Sequence, residues 1–278
     1  MIKRRDFLKI GGVVLATTGI AHPAIKSLAT ETVAARGRVL TKTALRDFPH
    51  EDGTVLKTLK PDSVQTILGY HDGWIQLTEG FVAAHHMQPM LDANHQPVEK
   101  LPAWAEVIAP YAAVRQWTQT EAPLMTRLGH GAVLHVDTRL DDAQGREWLR
   151  VDVPGWVQAE HLQPVQLQKA RAGLTAIIDR AENVLLLEHG GREAARFAIA
   201  RPEWLLPGDY QIETRRPGSQ AEKSVAWQLV TDGGFSLHGT TTHNHLARIT
   251  DGESVELSII AAKMIYAALP ENSKLTIR

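Results

Sequence analysis

After the first thirty residues, most of the chain runs in short stretches where apolar and polar residues alternate, and each stretch is closed by a turn signal. A period of two places alternate side chains on opposite faces of an extended strand, so this pattern predicts half-buried β-structure. Turns are marked between Pro49 and Gly53, at Gly69 and Gly73, from Gly129 to Gly131, and from Asp141 to Gly145. Further on, Thr175 to Asp179, Asn183 to Glu188 and Ala195 to Ala200 alternate around a Gly190-Gly191 turn and predict a three-strand meander. Only near the end does the period change. Ile259, Ile260, Ala262, Met264, Ile265 and Ala268 fall at helical spacing, and Pro270 stops the run. The predicted fold is mainly β with one C-terminal helix.

Gly-Phe-Val-Ala-Ala-His-His-Met-Gln-Pro-Met, starting at Gly80, aligns without a gap with Gly-Trp-Val-Gln-Ala-Glu-His-Leu-Gln-Pro-Val, starting at Gly155. Upstream, the segment Asp72 to Leu77 parallels Arg146 to Val151, and Val39 to Arg46 parallels Ile108 to Arg115 more loosely. Three landmarks in one order indicate an internal duplication of a small β-barrel unit. The paired Trp strand and Gly-aromatic-Val strand resemble bacterial SH3-like domains, which in exported proteins commonly flank cell-wall enzymes. Trp74, Trp148 and Trp156 could line a groove for glycan or peptide, but in so small a unit large side chains are first needed to build an interior. Asp92 to Pro102, polar and carrying Pro97 and Pro102, reads as a linker between the copies.

At 278 residues and 44% apolar composition the chain can form two or three units, taking roughly 100 to 200 residues per domain. A formal net charge of −1 offers no basic footprint for nucleic acid. Lys3, Arg4, Arg5, Asp6, Phe7, Leu8 and Lys9 precede an apolar run from Ile10 to Ile20 that is short for a membrane span. This segment resembles a twin-arginine export signal, with small residues at Gly19 and Ala21 or at Ser27 and Ala29 as cleavage positions. Cleavage after Ala29 would remove five cations against Asp6 and leave a more acidic chain. There is no cysteine, so no disulfide is available in an oxidising compartment.

From Leu174 onward, the meander, the Leu206-Pro207-Gly208-Asp209-Tyr210-Gln211-Ile212 segment, His238-Gly239 and the closing helix together resemble the L,D-transpeptidase catalytic domain. That family cross-links peptidoglycan through a cysteine acyl-enzyme, with the motif Ser-His-Gly-Cys-x-Arg-Leu. Here the corresponding stretch reads Asp251-Gly252-Glu253-Ser254-Val255-Glu256-Leu257. In one register Gly252 stands in the place of the histidine, Ser254 in that of the cysteine and Glu256 in that of the arginine. Slid by one, Glu253 takes the cysteine place. Neither register restores a thiol, and a serine without a partnered base is a poor nucleophile. A carboxylate in place of the guanidinium would repel substrate carboxylates.

The resemblance implies two tandem SH3-like β-barrels followed by an L,D-transpeptidase-like β-sandwich with one C-terminal helix. The expected boundaries are 1–29 for the signal, 30–91 and 104–166 for the barrels, 92–103 for the linker and 167–278 for the last domain. His238, Gly239, Gly252, Ser254 and Glu256 form the degenerate site, from which no catalysis and no cofactor are expected. Two alternatives stay open: Ser254 activated by His238 or His245, and a metal held by His238, His243 and His245. The implied setting is the periplasm or extracytoplasmic envelope, with peptidoglycan or an envelope protein as partner. Membrane contact is expected only through the signal segment, if it is uncleaved.

Overall fold

The computed structural model describes residues 36–71, 73–90, 95–165, 173–199, 204–218, 225–240 and 254–278. The segment predicted as an export signal, residues 1–29, lies outside these. No helix among the described residues is long and apolar enough to cross a membrane.

The first module contains β1 (Arg36–Val39), β2 (Thr43–Arg46), β3 (Val55–Leu59), β4 (Val64–His71), β5 (Trp74–Leu77), β6 (Gly80–Ala83), a 3₁₀ turn (Ala84–His86) and β7 (Met87–Met90), in the sheet order β3-β2-β6-β5-β4-β1-β7. The second contains β8 (Ala103–Val107), β9 (Tyr111–Arg115), β10 (Leu124–Gly129), β11 (Val133–Asp141), β12 (Glu147–Val151), β13 (Gly155–Gln158), a 3₁₀ turn (Ala159–His161) and β14 (Leu162–Pro164). Its order, β10-β9-β13-β12-β11-β8-β14, is the same path strand for strand. Backbone details repeat as well. The N–H groups of Asp47 and Gln116 donate to the carbonyls of Thr54 and Pro123, and those of Leu40 and Ile108 to His86 and His161. The duplication read from three sequence landmarks therefore extends through the whole unit.

Hydrogen bonding does not close either sheet into a full barrel. Instead β4 pairs with β1 through its first residues and with β5 through its last, with a register shift between Ile67 and Gly69. β11 divides its pairing between β8 and β12 in the same way, shifting between Val136 and Thr138. Such shifts bend a strand and increase its twist, so one sheet folds over its own core. In the first module that core holds Val39, Leu45, Ile75, Val82 and Met87; in the second it holds Val107, Val114, Leu149, Val157 and Leu162. Val98, in the predicted linker, is 1% exposed and belongs to the second core, so this stretch is tethered to the module it precedes. Trp148 is buried, whereas Trp74 and Trp156 are half-buried on the outward face.

The third sheet is built from β15 (Leu174–Asp179), β16 (Val184–His189), β17 (Arg192–Ala198), β18 (Gly208–Gly218), β19 (Val225–Thr231), β20 (Ser236–Thr240), β21 (Ser254–Ser258) and β22 (Lys274–Ile277). Its order is β17-β16-β15-β22-β18-β19-β20-β21, with β15–β22 and β20–β21 parallel. The predicted meander is β15 to β17. The predicted helix is α1 (Ile259–Ala268), whose first turn is capped by the Ser258 hydroxyl accepting from the Ala261 N–H at 3.2 Å. Ile259, Ala262 and Ile265 of α1 share a core with Ala226, Leu229, Leu237, Val255 and Leu257 of the sheet.

One turn joins all three sheets. A Cβ on Gly129 would meet the Arg38 guanidinium at 2.8 Å, and one on Gly131, where φ is +78°, would meet Ile259 at 2.5 Å. Between them His130 is 5% exposed, and its carbonyl accepts from Gln88 Nε2 at 2.8 Å. Asp62 of the first module pairs with its own Arg38 and with Arg127 of the second. Glu106 of the second module, nearly buried, pairs with Lys263 of α1 at 2.7 Å.

Candidate functional site

The parallel pair β20–β21 carries the residues that the sequence nominates. Its register sets Ser236 level with Ser254, His238 with Glu256, and Gly239 with Leu257. Leu237, Gly239, Val255 and Leu257 face α1. A Cβ on Gly239 would come 3.0 Å from the Ile259 Cα and 3.1 Å from the Ala262 Cβ. The glycine after His238 thus has a packing reason: the helix crosses where only hydrogen fits.

The alternate residues Ser236, His238, Ser254 and Glu256 point to the opposite face. There His238 is 6% exposed, with its Nδ1 3.2 Å from the Gly239 carbonyl oxygen. Gln228 of β19 donates from Nε2 to the Ser236 hydroxyl at 3.3 Å and is level with Arg216 of β18. The result is a polar band of amide, hydroxyl, imidazole and carboxylate groups. Ser254, aligned in the sequence with the family's cysteine place, is the first residue of a strand. Its neighbour across the ladder is Ser236, while His238 faces Glu256.

Gly252, His243 and His245 lie outside the described residues, as does Glu253. Among the described residues no group of three or more His, Asp or Glu side chains is arranged to hold a metal ion.

Sequence reasoning missed Trp227. β19 pairs Ala226 with Gly239 and Leu229 with Leu237, so Trp227 and Gln228 together oppose His238 in a bulge. Trp227 is 2% exposed and has φ +58°, a left-handed conformation unfavourable for a bulky side chain. Its Nε1–H is buried and donates to no acceptor among the described residues, a state that costs about 1–3 kcal/mol. Surrounding contacts hold the ring in place. Tyr266 meets it edge-on at 5.5 Å, and the Lys263 ammonium sits 5.1 Å from its centroid. Arg215 in turn lies over the Tyr266 ring at 4.3 Å and donates to the Tyr266 carbonyl. Burial raises the Tyr266 phenol pKa, partly offset by Arg215. Strain and an unpaired donor thus coincide on one core residue whose backbone lies opposite His238 in the ladder. Nothing in Val-Ala-Trp-Gln-Leu-Val separates such a bulge from an ordinary strand.

No family model matches the chain, and no curated protein matches it. Solved structures do overlap it. An L,D-transpeptidase from Stackebrandtia nassauensis is 21% identical, with a TM-score of 0.34, covering 41% of this chain and 58% of that one. One from Mycobacterium tuberculosis H37Rv is 14% identical, with a TM-score of 0.32, covering 54% and 73%. One from Mycobacterium smegmatis is 12% identical, with a TM-score of 0.33, covering 60% and 77%. The chain spans less than two thirds of the Stackebrandtia structure. These are partial overlaps at low identity.

Proposed function

We propose that this is an exported cell-envelope protein in which two SH3-like modules, 30–91 and 104–166, precede an L,D-transpeptidase-like domain, 167–278, that binds peptidoglycan or an envelope partner without acyl transfer. Residues 1–29 act as the twin-arginine signal, and 92–103 connect the modules. The observation that carries the reading is the β20–β21 register. A hydroxyl becomes a nucleophile when an imidazole within hydrogen-bond reach takes its proton. Ser254 lies two residues before the level of His238, a step of roughly 6.6 Å along the strand. The His238 Nδ1 is directed at a backbone carbonyl, and the side chain level with the ring is a carboxylate. With no cysteine in the chain, the polar band offers recognition groups and no activated nucleophile among the described residues.

Purified protein mixed with sacculi should sediment with them and leave the muropeptide profile unchanged. Mass spectrometry after exposure to a carbapenem should show no adduct. An adduct on Ser254, lost in Ser254→Ala, would overturn the non-catalytic reading; failure to sediment would overturn wall binding and leave an envelope protein as the partner.

A further inference from the structure

The two modules share more than a strand path: they leave the same large apolar side chains in water. In β2 to β3 of the first module, Phe48, Val55 and Leu56 are 62%, 51% and 51% exposed. At the matching places in β9 to β10 of the second stand Trp117, Leu124 and Met125, at 46%, 44% and 53%. The match is fixed by the ladders. Arg46 pairs with Val55 and Arg115 with Leu124, and the register then shifts at the next residue, so Leu56 and Met125 are each the extra residue of a bulge. Bulges of this kind redirect a side chain.

Two further residues complete a row on the outward face. Arg46 pairs across the sheet with Phe81, and Arg115 with Trp156, so each module carries an aliphatic, a guanidinium and an aromatic side by side. The core-facing neighbours Leu45, Val82, Val114 and Val157 are buried, which confirms that the row points outward. Each arginine donates to one backbone carbonyl of its own hairpin, Gly53 at 2.6 Å and Ala122 at 2.8 Å. Neither is in an ion pair with a carboxylate of the described residues. Between the copies the apolar, cationic and aromatic positions of this row have kept their character. Solvent alone favours polar residues there.

We propose that each module presents one docking site for an extended peptide that carries a carboxylate beside an apolar side chain, seated on Val55–Arg46–Phe81 in the first and Leu124–Arg115–Trp156 in the second. The cation fits a carboxylate in a planar fork, and the aliphatic and aromatic residues on either side fit an apolar neighbour. A peptide is favoured over a neutral saccharide because β3 and β10 end their sheets, so backbone donors and acceptors for strand addition lie beside each row. The sites are separate from the β20–β21 band and do not depend on its function.

Calorimetry with the whole chain and the peptide Ac-Gly-Leu-Glu-Val-Gly-amide should give two sites per chain. Replacing the glutamate with lysine, or both apolar residues with serine, should weaken binding at least tenfold. Arg46→Gln should reduce the stoichiometry from two to one, as should Arg115→Gln. Since these arginines also brace their hairpins, Val55→Ser combined with Leu124→Ser provides a second test at exposed members of the two rows and should cost at least tenfold in affinity. No saturable binding of the peptide would overturn the proposal. So would unchanged binding in the Val55/Leu124 variant, or binding of chitotetraose in place of the peptide.

Discussion

Lys263→Met is the perturbation that most directly tests how the second module and the third sheet hold together. Lys263 Nζ lies 2.7 and 2.9 Å from the two oxygens of Glu106, whose side chain is 8% exposed while the lysine keeps 32%. Removing one partner of a buried pair costs about 3–5 kcal/mol, because the remaining charge stays desolvated. Exposure of the lysine end discounts that figure, and the contact of Glu106 with Gln163 Nε2 gives the carboxylate a weak second donor. The cation over Trp227 adds roughly 0.5–1 kcal/mol. The expected loss is therefore about 2–3 kcal/mol. Urea unfolding followed by tryptophan fluorescence measures it, and a Glu106→Gln, Lys263→Met double variant should recover about half, since neither charge is then left buried. A single-variant loss below about 0.5 kcal/mol, the range of ordinary surface changes, would show that the pair is solvated and would refute the reasoning.

Gly239→Ala should lower stability by about 1–3 kcal/mol, read as a fall in the melting temperature, because its methyl meets the backbone of α1 at Ile259 and the helix must shift. In the β11–β12 hairpin, burial acts to raise the Asp142 pKa. Hydrogen bonds from the Trp148 indole, the Arg146 backbone and side chain, and the Gln144 backbone outweigh it and hold the pKa at about 2. Because the folded value is the lower one, the stabilisation is complete above the ordinary 3.8 and is lost as pH falls toward 2. Asp142→Asn should flatten the acid limb of stability against pH over that window; an unchanged limb would show that other carboxylates govern it.

Much of the fold could be read in the letters because period-two alternation and turn residues are local signals. β15 to β17 follow from them directly, and α1 from the change to helical spacing before Pro270. The duplication is visible at three landmarks, most clearly where both copies keep Gly-aromatic-Val and His-x-Gln-Pro, yet the common strand path also runs through stretches with no visible likeness, since a ladder needs only an inward apolar set. Bulges escaped. Leu56, Met125 and Trp227 sit in ordinary-looking strand sequence, and what displaces them is the count of residues on the facing strand. The burial of Val98 was hidden for a similar reason, as a single valine among polar neighbours gives no period. At the candidate site, His238-Gly239 was legible as a motif, but the pairing of His238 with Glu256 required the strand register. His243, His245 and Gly252 lie beyond the described residues.

The Gly129–His130–Gly131 turn touches the first module with one glycine and the closing helix with the other, and a methyl on either would press on the Arg38 guanidinium or the Ile259 side chain. Contacts of this kind, with the Asp62–Arg127 and Glu106–Lys263 ion pairs, hold the repeats against one another and against the third sheet rather than leaving them as beads on a string. If both rows bind as proposed, a partner spanning them would be read by the spacing of its two contacts as well as by their chemistry.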